Sequence, residues 1–138
     1  GVTKRVYEDW VGHEVSEQEM RDLTKEDVAP IYKSNYWDRC KCNSLDSGLD
    51  FAVFDWAVNS GSGRSAKALQ TIVGADADGA IGPATLALVN NNSTENLIEK
   101  MYYARQEFYE GLSTFDTFGR GWSRRNKETL EASLEMMD

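Results

Sequence analysis

The chain of 138 residues has one histidine, two cysteines and two prolines. A lone His13 leaves no histidine-built metal cluster, and any Ser-His-Asp or Cys-His arrangement would have to use it. It stands in VGHE, between a glycine and an acid, and reads as an exposed turn residue. Cys40 and Cys42 are one residue apart. That is not the spacing of a zinc site or a dithiol redox motif, and it is awkward for a mutual disulfide, so free thiols are expected. Two prolines and eleven glycines exclude a low-complexity chain. No apolar run approaches the roughly 18 residues of a membrane span. Positive charge is not in excess either. The net charge of −8 argues against a nucleic-acid partner, although Arg120, Arg124, Arg125 and Lys127 gather late and read as a solvated helix face or a local anion patch.

What is there is enough for one globular domain with a core: 41% hydrophobic and 28% charged residues. The pattern is mainly helical. Val6, Tyr7 and Trp10 share one side of a first helix that Thr3 can cap and Gly12 ends. Ser16 with Glu19 forms a capping-box pattern, and Thr24 with Asp27 repeats it in an acidic variant. An interior Pro30 predicts one turn, a bend, then helix through Ile31, Tyr32 and Tyr36, closed by Trp37. Residues 38–48 read as loop, with room for a small hairpin. Residues 64–73 form a helix with Ala66, Leu69, Gln70 and Val73 on one face. Leu97, Ile98, Met101, Tyr102, Arg105, Phe108 and Tyr109 keep a clean helical period. Residues 111–121 read as a loop anchored by Phe115 and Phe118, followed by a last helix capped at Ser123.

The stretch LDFAVFDWAVNSGSG is apolar almost all round, the mark of a buried helix. Asp55 and Asn59 lie four residues apart on it and so face the same way. A carboxylate there must be paired, protonated or turned to a polar cleft. Either the two residues tie the helix into its surroundings, or they line a ligand groove near the Ser60-Gly61-Ser62-Gly63 break. Four tryptophans, six tyrosines and five phenylalanines are a heavy aromatic load. Most belong in the core, but Tyr36, Trp37 and Tyr103 are groove candidates, because such rings join an apolar face to a polar handle. The stretch DADGAIGPATLALV is neither of two things it suggests. An EF-hand register puts Gly74 and Thr85 where carboxylates are needed, and no lysine follows the glycines as a phosphate loop demands. It is a tight Asp78-Gly79 turn feeding a helix that starts at Pro83.

Four stretches together carry a resemblance: IYKSNYWDRC at 31–40, LDFAVFDWAVNSGSGRSAKALQ at 49–70, DADGAIGPATLALV at 76–89 and RQEFYEGLSTFDTFGRGWSRR at 105–125. The chain resembles the glycoside hydrolase family 108 muramidases, many of them phage endolysins or proteins classed as secretion activators. The resemblance covers nearly the whole chain. It implies a lysozyme-like helical unit with short irregular loops. Residues 1–70 would be a truncated muramidase-like region and 71–138 a predicted peptidoglycan-binding region, packed as one compact unit. It also implies cleavage of the β-1,4 bond between N-acetylmuramic acid and N-acetylglucosamine, with no cofactor or metal. The partner would be a peptidoglycan glycan strand, met in the periplasm or outside the cell. The family's catalytic glutamate lies in a Glu-Gly-Gly-Tyr motif ahead of a Gly-(Ile or Val)-Thr element. This sequence opens on Gly1-Val2-Thr3, which matches that element, so the general acid is expected upstream and residues 1–138 alone are expected to be inactive.

Within the chain, Asp55 is the acid with the most apolar context and is given a supporting role, with Asn59 orienting water or an N-acetyl group. Two other readings compete. A non-catalytic peptidoglycan-binding or helper protein would keep the groove aromatics without the chemistry. A plain helical interaction module would have neither.

Overall fold

A computed structural model describes residues 2–137. Gly1, the first residue of the Gly-Val-Thr element, lies outside the described residues. The fold is all-α, with no strand among the described residues. Eight α-helices follow in chain order: α1 (Lys4–Val11), α2 (Glu17–Arg21), α3 (Lys25–Tyr32), α4 (Leu49–Ser60), α5 (Ser62–Val73), α6 (Pro83–Asn90), α7 (Thr94–Glu110) and α8 (Phe115–Met136). A π-helical turn, Lys33–Asp38, continues α3, and a 3₁₀ turn, Cys42–Ser44, precedes α4.

The caps follow the side chains that predict them. Thr3 accepts from the Val6 amide and starts α1. Both reciprocal boxes form, Ser16 with Glu19 and Thr24 with Asp27. Pro83 occupies the first turn of α6. Helix continues past Pro30 as expected: α3 runs through it to Tyr32, and the backbone then widens into the π turn. One expectation is corrected: of residues 111–121, only 111–114 are turn. α8 begins at Phe115, and Ser123 is an interior residue that accepts from Gln106. Gly119 lies inside this helix, buried against the Phe115 ring, where a Cβ would collide with it. Tertiary contact overrides the modest helix cost of glycine there.

α4 is the centre of the molecule. It packs on α5, α7 and α8, and Leu49, Val53, Trp56 and Ala57 sink into a core shared with Leu69, Leu97, Ile98 and Met101. Its other apolar stripe, Phe51, Phe54 and Val58, is only half-buried. The helix begins at Gly48, whose φ is +97°. A Cβ at Gly48 would run into the Ser133 carbonyl and sit 3.0 Å from Ile98 Cδ1. Only glycine admits that backbone angle and that approach of α8.

The DADG turn is held from outside by one buried side chain. Gln70 on α5 accepts from the Gly79 amide at 2.8 Å and donates to Asp78 at 2.9 Å, the Ala80 carbonyl at 3.1 Å and Thr85 at 3.2 Å. Asp78 in turn accepts from the Ala80 amide. These bonds, the Ala80 amide first, hold the Asp78 carboxyl below its usual range. The stretch that raised calcium and phosphate loops thus docks α6 onto α5.

Candidate functional site

Two clefts flank the π turn. The first is a cleft of about 400 Å³ where α1, the π turn and the start of α5 meet. α1 contributes Val6, Asp9 and Trp10, the π turn Asn35 and Tyr36, and Arg39, Ser62 and Gly63 complete it. The Ser62 hydroxyl donates to the Asn35 carbonyl, and the Cys40 thiol to the Ser62 carbonyl at 3.6 Å, so the π turn and α5 are tied at the cleft floor. Trp10 is 45% exposed, and α1 has no buried residue. One wall is therefore a lightly docked helix carrying an open indole. The second cleft, about 570 Å³, lies between α3, the π turn and α4. Val28, Ala29, Tyr32, Trp37 and Phe54 make it mostly apolar, with Lys25 and Lys33 at its rim. The Trp37 indole donates to Asn43 at 2.8 Å, and its ring meets Phe54 edge-on at 5.5 Å.

Tyr36 and Trp37, adjacent in sequence, thus line different clefts. Tyr103 lines neither. It stands on α7, 67% exposed, with its ring edge against Tyr102. Asp55 and Asn59 line neither cleft as well. They face α7 and α8, and the five candidate residues are not one constellation.

What Asp55 and Asn59 do is bind those helices together. The Arg105 guanidinium donates from Nη1 to Asp55 at 2.9 Å, Arg125 from Nη2 at 3.0 Å and Nε at 3.3 Å, and Thr129 from its hydroxyl at 3.0 Å. Arg105 also donates to the Tyr109 hydroxyl at 2.9 Å, which donates to the Asn59 carbonyl oxygen. Trp122 of α8 stacks on the Tyr109 ring at 5.3 Å. Arg105 is only 2% exposed and Asp55 16%. Burial works against ionising Asp55. The hydrogen bonds from Arg125 and the charge and bonds of Arg105 outweigh it and hold the carboxyl below its usual range. The same pairing raises the Arg125 guanidinium. A general acid needs the opposite shift, whereas the bonds that converge on Asp55 favour its carboxylate form.

Sequence reasoning passed over Arg105, and the signal was present. It stands on the stripe of Leu97, Ile98, Met101 and Tyr109, where a cation must have a buried counter-charge. Trp10 and Arg39 gave no such signal, because both are exposed and only packing brings them to one cleft. Cys40 and Cys42 are free and buried. Burial pushes their thiols up to about 11 and about 12 respectively.

The likeness to known proteins falls along the same division of the chain. The model for glycosyl hydrolase 108 matches residues 1–61, and that for the predicted peptidoglycan domain matches residues 64–127. The solved structure of Brucella abortus SagA superposes with a TM-score of 0.92 at 38% identity, covering 98% of this chain and 78% of SagA. The chain belongs to the glycosyl hydrolase 108 family. No curated protein matches it. The two matched regions of this family member meet where α4 turns into α5, so the Asp55–Arg105 pair joins the hydrolase region to the peptidoglycan region. No helix among the described residues is long and apolar enough to cross a membrane.

Proposed function

We propose that this chain is the body of an N-acetylmuramidase acting at the bacterial cell wall on the β-1,4 bond between N-acetylmuramic acid and N-acetylglucosamine. In this reading the glycan lies in the cleft of Trp10 and Tyr36, and the general acid is a glutamate in a Glu-Gly-Gly-Tyr motif that would stand ahead of Gly-Val-Thr, outside residues 1–138. One observation carries the placement. Thr3 caps α1, and Val6, which lines the cleft, is three residues on, about 5 Å along the helix axis. Thr3 therefore stands beside the cleft wall.

Glycoside hydrolysis needs a protonated acid at the leaving oxygen and negative charge near the developing oxocarbenium. Asp9 lines the cleft and supplies the second requirement. Arg39 meets the lactyl carboxylate of muramic acid, and the Trp10 and Tyr36 rings take the apolar faces of the sugars. Trp37 provides a second aromatic surface across the π turn. Asp55 and Asn59 support the cleft indirectly by fixing α4 against α7 and α8. The hydrolase region comprises residues 1–70, and residues 71–138 hold the polymer.

The test has two arms. Residues 1–138 alone should give no fall in turbidity of purified peptidoglycan, and the same chain preceded by a Glu-Gly-Gly-Tyr segment should give one. Robust activity from residues 1–138 would sink the assignment of the acid. Trp10→Ala should weaken retention on insoluble peptidoglycan with the fold intact. Full retention by that variant would move the glycan to the Trp37 cleft.

A further inference from the structure

α7 and α8 enclose a third cleft, of about 560 Å³, on the face of the molecule that carries the late basic cluster. Its floor is built from amides and a hydroxyl. Gln106 donates to Ser123 at 2.9 Å and to Glu110 at 3.1 Å. Asn126, 2% exposed, fixes Gln106 by donating to its side-chain oxygen at 3.2 Å while also bonding the Tyr102 carbonyl at 3.0 Å. The polar floor is therefore held in place before any ligand arrives.

The rim carries charge of both signs. Arg120, Arg124 and Lys127 follow one another at helical spacing along α8, with Glu128 and Glu131 beside them. Arg124 with Glu128 and Lys127 with Glu131 are i,i+4 pairs, a spacing at which opposite charges commonly meet. Among the described residues, neither pair forms an ion pair. Arg125, the other member of the basic cluster, turns away to Asp55. The rim thus presents cations and carboxylates that are not engaged with each other, over a floor of amides. Charge and amides dominate this lining, with Tyr102 as the single aromatic among the lining residues, whereas a neutral sugar favours aromatic faces. It suits an extended ligand with its own amides, carboxylates and an ammonium group.

We propose that the α7/α8 cleft binds the peptide stem of peptidoglycan. The D-glutamyl and terminal carboxylates meet Arg120, Arg124 and Lys127, the ammonium group of the diamino acid meets Glu128 or Glu131, and the peptide bonds meet Gln106 and Ser123. The proposal rests on the peptidoglycan reading above and adds a second contact to it, so glycan and stem are held at separate places on one chain.

The experiment compares three probes with the whole chain: intact sacculi; the same sacculi stripped of stems by an N-acetylmuramoyl-L-alanine amidase, their freed glycan strands immobilised on beads; and the free peptide L-Ala-γ-D-Glu-diaminopimelate-D-Ala. Intact sacculi should bind more tightly than stripped ones, and the free peptide should shift the backbone resonances of Gln106, Ser123 and Arg124. Arg120→Glu with Arg124→Glu should lower affinity for intact sacculi about two- to fivefold per charge and leave stripped sacculi unaffected. Both positions are exposed, and the circular dichroism of the double variant should match the parent. Equal binding of intact and stripped sacculi, or no resonance shift with the free peptide, overturns the stem site while leaving the glycan reading standing. Failure to bind either kind of sacculus overturns both.

Discussion

Replacing Asp55 with alanine removes the carboxylate on which three side chains of α7 and α8 converge. The largest cost comes from Arg105. It is 2% exposed, and its Nη2 has no hydrogen-bond partner even with Asp55 in place. Removing one member of a buried ion pair costs about 3–5 kcal/mol, because the other charge is left uncompensated. Asp55 keeps 16% exposure, so water can enter, and the lower end applies. The Arg125 arm adds under about 1 kcal/mol, since that side chain is 47% exposed. Asp55→Ala should therefore cost about 3–4 kcal/mol, a fall of roughly 10 °C in the midpoint for a domain of this size. Asp55→Asn should cost about 2 kcal/mol, keeping the shape and losing the charge. Arg125→Ala should cost under about 1 kcal/mol. The sign of the pH dependence follows from the depressed carboxyl. Its stabilisation is fully present above the unfolded value near pH 4 and is lost as pH falls through the lower folded value. Urea midpoints measured from pH 7 down to pH 2 should fall for the parent below about pH 4, and this part of the fall should vanish in Asp55→Asn. An Asp55→Ala chain within 1 kcal/mol of the parent, or one that differs no more than Arg125→Ala, would refute the reasoning.

Four further outcomes follow from the packing. Gly48→Ala should cost at least about 2 kcal/mol by thermal melting, since it combines a left-handed backbone with a collision at the Ser133 carbonyl; a neutral result would mean that α8 can shift freely. Gln70→Ala should cost about 1–2 kcal/mol, because it unties a turn whose Gly79 amide and Ala80 carbonyl water can still reach and leaves the buried Thr85 without its amide partner, and amide exchange over residues 78–85 should quicken before the rest of the chain. Both thiols should resist alkylation at pH 8 until the chain is unfolded. Because burial raises Cys42 to about 12, the fold should lose stability as pH rises above the unfolded thiol value near 9, and Cys42→Ser should reduce that alkaline loss.

Local chemistry was legible in the sequence. Thr3, Ser16, Thr24 and Pro83 start helices where their side chains or rings satisfy the first turn, and such bonds need only neighbours in the chain. The apolar stripes of α4 marked a buried helix, and Asp55 on it had to be paired, protonated or turned to a polar cleft. The errors have one source. Residues 111–121, with three glycines, read as a loop when only the chain neighbours are counted, and Pro30 reads as a bend. In the fold, the missing Gly119 side chain makes room for the Phe115 ring, and α3 absorbs Pro30 before widening into the π turn.

The site divides in the same way. The sequence by itself determined the helical class and the turn at Asp78-Gly79, because each depends on residue type and short spacing; four longer stretches carried the family resemblance, and Asp55 was left to be paired, protonated or turned to a polar cleft. Tertiary structure alone decided that Arg105 and Arg125, fifty and seventy residues away, answer Asp55. It also decided that Trp10, Arg39 and Ser62 share a cleft, and that neighbours Tyr36 and Trp37 part to opposite clefts. Periodicity tells which side of a helix is apolar. Which distant side chain meets it depends on how the helices pack, and that is fixed by the whole core at once.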